Sequence, residues 1–430
     1  MPPGRTSRIA AELRTLPRQF WLLAAGTFIY LIGVEMCYPF ETIYMRDVLG
    51  VSVTAIGLIV GITMLATLPL QVVGGALCDR YGRRPVLAVG IAGSMTLYVG
   101  LGLTHQLWLV VALIAFEAAF GWAQFITASN AMIADLTPLS RRAEAFSISR
   151  VALNAGITIG PLAAAPLIAL DPTFRLPFLA AGAVCFLCLV FVLTLFRETR
   201  PPATKRLSMA AAFGGYGLVL RDRRMVAFCL VALLPLFGFG QIWVTMPIML
   251  GDLHGVSAQQ WALLMVVYGV AMATLQYPVI RLCGKYDHMW LMSLSAILIG
   301  VGVGAAAFVP YPVTYACMLL ICLGIVLLIP ISTTVVSNLS PADLRGRYMG
   351  MWTLVYMGGY ALGPLLGGWA LARLGGRGAF ALIAAAGLLG AALFPLLRRS
   401  GTGQGRVETG EEASVILRGE LRGERPEQAL

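Results

Sequence analysis

Twelve runs of predominantly apolar residues, each long enough to cross the hydrocarbon of a bilayer as a helix of about 20 residues, dominate this chain. They fall at roughly 20–45, 53–78, 85–104, 107–134, 144–169, 176–196, 225–250, 257–282, 289–309, 313–337, 347–372 and 378–397. Lipid offers no partner to a backbone N–H or C=O, so a spanning segment must close its hydrogen bonds internally as a helix or around a closed barrel. Barrel strands would appear as short alternating segments, which this sequence lacks. The expected fold is an all-α membrane protein of twelve transmembrane helices. A chain of 430 residues that is 59% hydrophobic and 12% charged, with mean hydropathy +0.83, has too little polar surface for a soluble fold. Most soluble enzymes are thereby excluded. The net charge of +11 does not mark a nucleic-acid partner, because the basic residues flank the apolar runs and form no separate face.

Those basic residues set an expected orientation. Only Arg46, Arg175, Arg373 and Arg377 lie in the loops after odd-numbered runs, leaving 27 of the 31 Lys and Arg on the side that holds both termini. The positive-inside rule makes that side the cytoplasm. The expected organisation is a cytoplasmic segment over 1–19, a six-helix bundle over 20–196, a cytoplasmic linker over 197–224, a second six-helix bundle over 225–397 and a disordered cytoplasmic tail over 398–430. The basic N-terminal segment leads into an apolar run far longer than a signal-peptide core, so that run is expected to remain as the first helix.

An internal repeat supports the division into halves. Asp135-Leu136-Thr137-Pro138 and Arg142 recur 203 positions later as Asn338-Leu339-Ser340-Pro341 and Arg345, and Gly156 with Gly160-Pro161 recurs as Gly359 with Gly363-Pro364 at the same offset. Two duplicated six-helix units are the arrangement from which secondary transporters build a substrate site.

Between runs 2 and 3 the chain reads Gly75-Ala-Leu-Cys-Asp79-Arg80-Tyr-Gly82-Arg83-Arg84-Pro85. This closely resembles the cytoplasmic signature loop of the major facilitator superfamily, Gly-x-Leu-x-Asp-Arg-x-Gly-Arg-Arg/Lys. Gly75 and Gly82 suit close backbone approach and a tight turn, and Asp79 suits the positive end of another helix, which the resemblance implies is the eleventh, near Arg347. The resemblance further implies an Asp79–Arg83–Asp135 relay that holds the outward-open state. The second-half copy is degenerate: Leu282 stands where Asp79 would recur, and only Gly284-Lys285 preserves the turn.

Run 5 carries Gly156-x-x-x-Gly160-Pro161-x-x-Ala164-Ala165, similar to the Gly-x-x-x-Gly-Pro-x-x-Gly-Gly signature of drug:proton antiporters, and run 11 carries the full form from Gly359 through Gly363-Pro364 to Gly367-Gly368. Small residues four apart make a smooth packing face, and the proline bends the helix. Two carboxylates, Glu35 and Glu117, lie within runs 1 and 4, each ~3 residues or about 4–5 Å outward of the run's centre. Intramembrane acids are costly unless they face a water-filled path, and they mark proton relays. Glu35 is therefore the expected proton carrier with Glu117 as its neighbour, while Glu41 is expected near the outer mouth and solvated. Drug exporters of this superfamily often carry an Arg four residues before a Gly on helix 4. Here that position, before Gly121, is Glu117, so their Arg-dependent relay does not carry over, and the acid points to cationic substrates.

Scattered polar and aromatic positions supply the expected cavity lining: Tyr30, Tyr38, Gln124, Asn154, Gln241, Tyr268, Tyr356 and Tyr360. Such a surface suits variable amphipathic ligands better than a sugar, which needs many directional hydrogen bonds. The eight cysteines fall in apolar runs and read as buried thiols, Cys185-x-x-Cys188 included. No phosphate-binding Gly-x-x-x-x-Gly-Lys-Ser/Thr loop occurs, so no cofactor is expected and an ion gradient supplies the energy. The resulting expectation is a bacterial inner-membrane antiporter, resembling twelve-helix multidrug exporters, that exchanges protons for small molecules by alternating access. It would work as a monomer among membrane lipids, with no nucleic-acid partner. An uptake symporter for a small metabolite or peptide, and a non-transporting receptor or scaffold, are the alternatives.

Overall fold

The computed structural model describes residues 16–138, 141–199, 216–283, 286–341 and 344–398. The expected Gly284-Lys285 turn, the centre of the expected linker, most of the N-terminal segment and nearly all of the expected tail lie outside the described residues. Within them the chain is helical and contains no strand. The order is α1 (Arg18–Glu35), a 3₁₀ turn (Tyr38–Phe40), α2 (Glu41–Asp47), α3 (Val53–Tyr81), α4 (Arg83–Leu103), α5 (Leu107–Phe120), α6 (Trp122–Leu136), α7 (Arg142–Leu170) and α8 (Arg175–Leu195). There follow α9 (Tyr216–Arg221), α10 (Arg223–Gly240), α11 (Thr245–His254), α12 (Ala258–Cys283), α13 (His288–Ala305), α14 (Tyr311–Leu339) and α15 (Arg345–Leu397).

Eleven helical stretches among the described residues are long and apolar enough to cross a membrane. The last, α15, has 53 residues, about 80 Å at 1.5 Å per residue, against a hydrocarbon thickness of ~30 Å. It is broken at Gly375 (φ 68°, ψ 172°), so it contributes two spans and the total is twelve. Large apolar side chains such as Trp108, Phe186 and Leu187 stay exposed, as lipid-facing positions must.

Three of the expected continuous spans are interrupted, two of them at an identifiable breaker. Pro39 lacks an N–H and disfavours helix at the residue before it, so the first span stops at Glu35 and restarts at Glu41. The fourth breaks at Gly121 (φ −99°, ψ −109°), and the seventh breaks after Gly240. The first and seventh breaks repeat one design, since α1 and α10 are both 18 residues long and each is followed by a short helix.

The chain forms two compact units. The first comprises Met1–Arg206 with Trp243–Ala273, and the second Leu207–Ile242 with Thr274–Leu430. In the first, α1 packs on α7 and α8, and α4 on α6 and α8; in the second, α15 packs on α10 and α13, and α13 on α14.

The Gly-Pro signatures do the same task in both units. A Cβ at Gly160 would lie 2.7 Å from the backbone carbon of Glu35 and 2.9 Å from Met36 N, so α7 meets α1 backbone to backbone at its break. Likewise a Cβ at Gly363 would lie 2.6 Å from Gly240 Cα, where α10 ends. Neither position tolerates a side chain without separating the helices.

Candidate functional site

Two groups of ionisable residues stand out, both in the first unit. The first is at the α3–α4 turn. Gly82 takes φ 104° and ψ 165°, a conformation that side chains resist, and so the chain reverses in a single residue. That reversal brings Arg83, which is 6% exposed, under three partners. Its Nε donates to Asp135 Oδ2 (2.9 Å), and its Nη1 donates to Asp79 Oδ1 (3.2 Å) and Cys78 O (2.9 Å). The Asp79–Arg83–Asp135 grouping drawn from the resemblance is thus a physical contact within this unit. Arg80 is exposed and lies over the Tyr81 ring, 5.1 Å from its centroid. The close approach expected at Gly75 falls one residue earlier: a Cβ at Gly75 would meet nothing within 4 Å, whereas one at Gly74 would press on Gln124 Oε1.

Glu198, just past α8, has no place in the sequence reading. Its carboxylate accepts from both Arg83 N (2.8 Å) and Arg84 N (3.1 Å), capping α4 and pinning the end of α8 to the turn. The neighbouring Thr199 hydroxyl reaches Asp135 Oδ2 at 3.5 Å. No sequence signal marks Glu198, because the capping carboxylate comes from more than 110 residues away. Replacing it with Ala should cost about 0.5–1 kcal/mol, the scale of an exposed helix cap. Thermal unfolding in detergent would show this as a small loss that Glu198→Asp partly restores.

The second group lies within the spans. Glu35, at the end of α1, is 7% exposed, and its Oε2 has no hydrogen-bond partner. Glu41, the first residue of α2, is 9% exposed with Oε1 also unpartnered. The expectation that Glu41 is solvated is therefore corrected: the break at Pro39 turns α2 inward and buries it. Thr27 Oγ1 and Thr42 Oγ1 are buried and unpartnered as well, so span 1 holds four of the seven such atoms found among the described residues. Buried polar atoms without partners are rare and call for an explanation.

Glu117 is different. Its Oε1 accepts from Ser94 Oγ (3.1 Å) and from Trp122 N (2.9 Å), and Tyr30 OH shares a 2.8 Å hydrogen bond with Ser94 Oγ. The Glu117 carboxylate thus caps α6 across the Gly121 break. No Lys, Arg or His forms a salt bridge with any of the three acids among the described residues.

The expected lining residues separate into two sets. Tyr30, Gln124, Asn154, Gln241 and Tyr268 are buried, whereas Tyr38, Tyr356 and Tyr360 are half-buried. Tyr30 stacks on Phe125 with centroids 3.8 Å apart. Gln124 Nε2 donates to Ala119 O (2.9 Å), and Gln241 Nε2 donates to Phe237 O (3.0 Å) and to Gly363 O (3.1 Å), the latter tying α10 to α15. Tyr268 meets the Trp243 ring at 5.6 Å and Tyr38 meets it at 5.4 Å. The eight cysteines are free thiols, seven buried and Cys283 half-buried.

At the opposite end of the unit from the Arg83 turn, Arg46 on α2 forms a clamp. Its Nη1 donates to Ile248 O (2.9 Å) and pairs with Asp252 Oδ1 (2.9 Å), both on α11. Trp261 of α12 donates from Nε1 to Pro39 O at 3.1 Å. A cavity of about 290 Å³ beside this clamp is lined by Ile43, Arg46, Phe174, Pro247 and Val256 among others. Close by, Asp171 accepts hydrogen bonds from Thr173 and Leu176, and the Thr173 hydroxyl above all holds its carboxyl below the usual carboxylate range.

The model of the Major Facilitator Superfamily matches residues 23–241 and again residues 228–426. The chain is 28% identical over 372 residues to multidrug resistance protein MdtH of Shigella dysenteriae, covering 84% of this chain and 86% of that one. It is 27% identical to MdtH of Escherichia coli K12, covering 84% and 87%. Among solved structures, a POT family transporter in complex with a thioalcohol-conjugated peptide superposes with TM-score 0.76 at 15% identity, covering 89% of this chain and 96% of that one. The nucleoside transporter NupG gives 0.74 at 13% identity, covering 89% and 99%. At such identities the structures speak for the fold alone. With both halves matched by the superfamily's model and 84% of its length aligned to multidrug resistance proteins, the chain is a membrane transporter, not an enzyme, and belongs to the major facilitator superfamily.

Proposed function

We propose that this protein is a proton-coupled exporter of amphipathic or cationic small molecules, working in the bacterial inner membrane by alternating access. The observation that carries the reading is Glu35: a carboxyl group buried within a span, with one oxygen unpartnered and, among the described residues, no cationic side chain paired with it. Such a group is costly to keep unless it exchanges a proton or meets a cation in a water-filled path. A substrate cation and a proton competing for this acid give exchange directly. The multidrug resistance proteins that the chain resembles agree with a broad amphipathic substrate range. The proton gradient is the energy source, and no cofactor takes part.

The positive-inside reading places the Arg83 turn at the cytoplasm and the Arg46 clamp outside. In that orientation the Asp79–Arg83–Asp135 cluster, braced by Glu198, braces the cytoplasmic end of the first unit, and Gly160 and Gly363 let span 5 slide on span 1 and span 11 on span 7. A monomer in lipid suffices for this cycle.

Accumulation of a fluorescent lipophilic cation in expressing cells tests the direction. Expression should lower accumulation, and an uncoupler should restore it. Accumulation that rises with expression and collapses on uncoupling would make the protein a symporter.

A further inference from the structure

We propose that Glu41 is a second proton-binding group and that its protonation, acting through the seven residues of α2, sets the state of the Arg46 clamp. The inference builds on the proton-coupled reading but concerns a residue and a movement that reading does not use.

Three observations meet on this short helix. Its first residue, Glu41, is more than nine-tenths buried with Oε1 unpartnered. Its sixth residue, Arg46, grips α11 through Ile248 O and Asp252. The turn before it is held by the Trp261 bond to Pro39 O. A helix of seven residues bonded through its whole length moves as one body, so displacing Glu41 displaces Arg46. The cavity bordering Ile43 and Arg46 leaves room for that movement.

The protonated and ionised forms of Glu41 differ in what this seat offers them. A neutral carboxyl leaves at most a weak orphan acceptor, whereas a carboxylate leaves a buried charge with one oxygen unpartnered and, among the described residues, no cation paired to it. Glu117 and Glu35 lie within electrostatic reach of Glu41, and Tyr98 is a neutral hydrogen-bonding neighbour. Release of the proton to water therefore favours a position in which α2 has swung Glu41 toward solvent and Arg46 has left α11. The clamp closes at low pH and opens as pH rises.

Other ionisable side chains near α2 are His105, which contacts Tyr44 OH at 3.3 Å, and, on α11, Asp252 and His254. Asp171, beside the cavity, remains ionised over the relevant range because its carboxyl is held low. A His105→Gln/His254→Gln background separates the histidines from Glu41.

The experiment places spin labels at Leu49→Cys and Leu253→Cys, both within the first unit, in a Cys283→Ser background, and reads their distance by pulsed electron resonance from about pH 5.5 to about pH 8.5. The expected wild-type result is a longer-distance population whose ratio to the short one rises by up to about tenfold per pH unit. The histidine double variant should titrate likewise, Glu41→Gln should stay short throughout, and Glu41→Asp should shift the midpoint. Distances that ignore pH in the wild-type background, a Glu41→Gln variant that titrates like wild type, or, should that variant not fold, an unmoved midpoint in Glu41→Asp, would each overturn the proposal. The readout needs no substrate, so it stands or falls separately from the direction of transport.

Discussion

Replacing Glu35 with Gln should abolish gradient-driven export while leaving substrate binding partly intact. The amide fixes the shape of the protonated carboxyl, so the site can still fold around it, but no proton can leave. In proteoliposomes with an imposed pH gradient, uphill transport should fall by about two orders of magnitude, the scale on which removing a proton-transferring side chain acts. Binding of a lipophilic cation should weaken less and lose its pH dependence. Glu117→Gln should behave differently, because Glu117 already accepts from Ser94 and Trp122 N and holds the Gly121 break. Its loss should appear first in stability. If Glu35→Gln still exports uphill at the wild-type rate, Glu35 is structural.

Gly160→Leu should be the most damaging single change to the fold. The new Cβ alone would fall 2.7 Å from the Glu35 backbone, and the obstacle is main chain, which cannot rotate away. Separating α7 from α1 should cost about 3 kcal/mol or more, the upper range for overpacking. It should also disturb the seat of Glu35. Gly358→Leu is the matched control, since a Cβ there would meet nothing within 4 Å. Thermal unfolding of the two variants in one detergent should separate them clearly; equal losses would mean that the helix contact is looser than drawn.

Much of this was legible in the residues, for reasons that differ from place to place. The twelve spans follow from the length and polarity of the runs, and the Arg83 contacts are implied by the loop's resemblance to the superfamily signature. Pro39 and Gly121 are breakers, yet hydropathy treats a run as continuous, so distance along a straight helix puts Glu41 in solvent. Bending at Pro39 buries it. Glu198 was invisible because its role depends on where α8 ends relative to α4, which no local pattern encodes. Gln124 and Gln241 stand out in the sequence because polar side chains are rare in spans; in the fold each also bonds to a carbonyl beside a helix break, Ala119 O and Phe237 O. The same polarity signal serves both purposes.

Under the proposed exchange, proton movement and substrate movement are coupled in opposite directions. Proteoliposomes carrying a pH-sensitive dye inside and no imposed gradient test it most directly, on addition of a lipophilic cation such as tetraphenylphosphonium outside. Inward movement of the cation by exchange should alkalinise the lumen, and the Glu35→Gln variant should show no signal. Acidification of the lumen on the same addition, or an unchanged response in Glu35→Gln, would contradict the account.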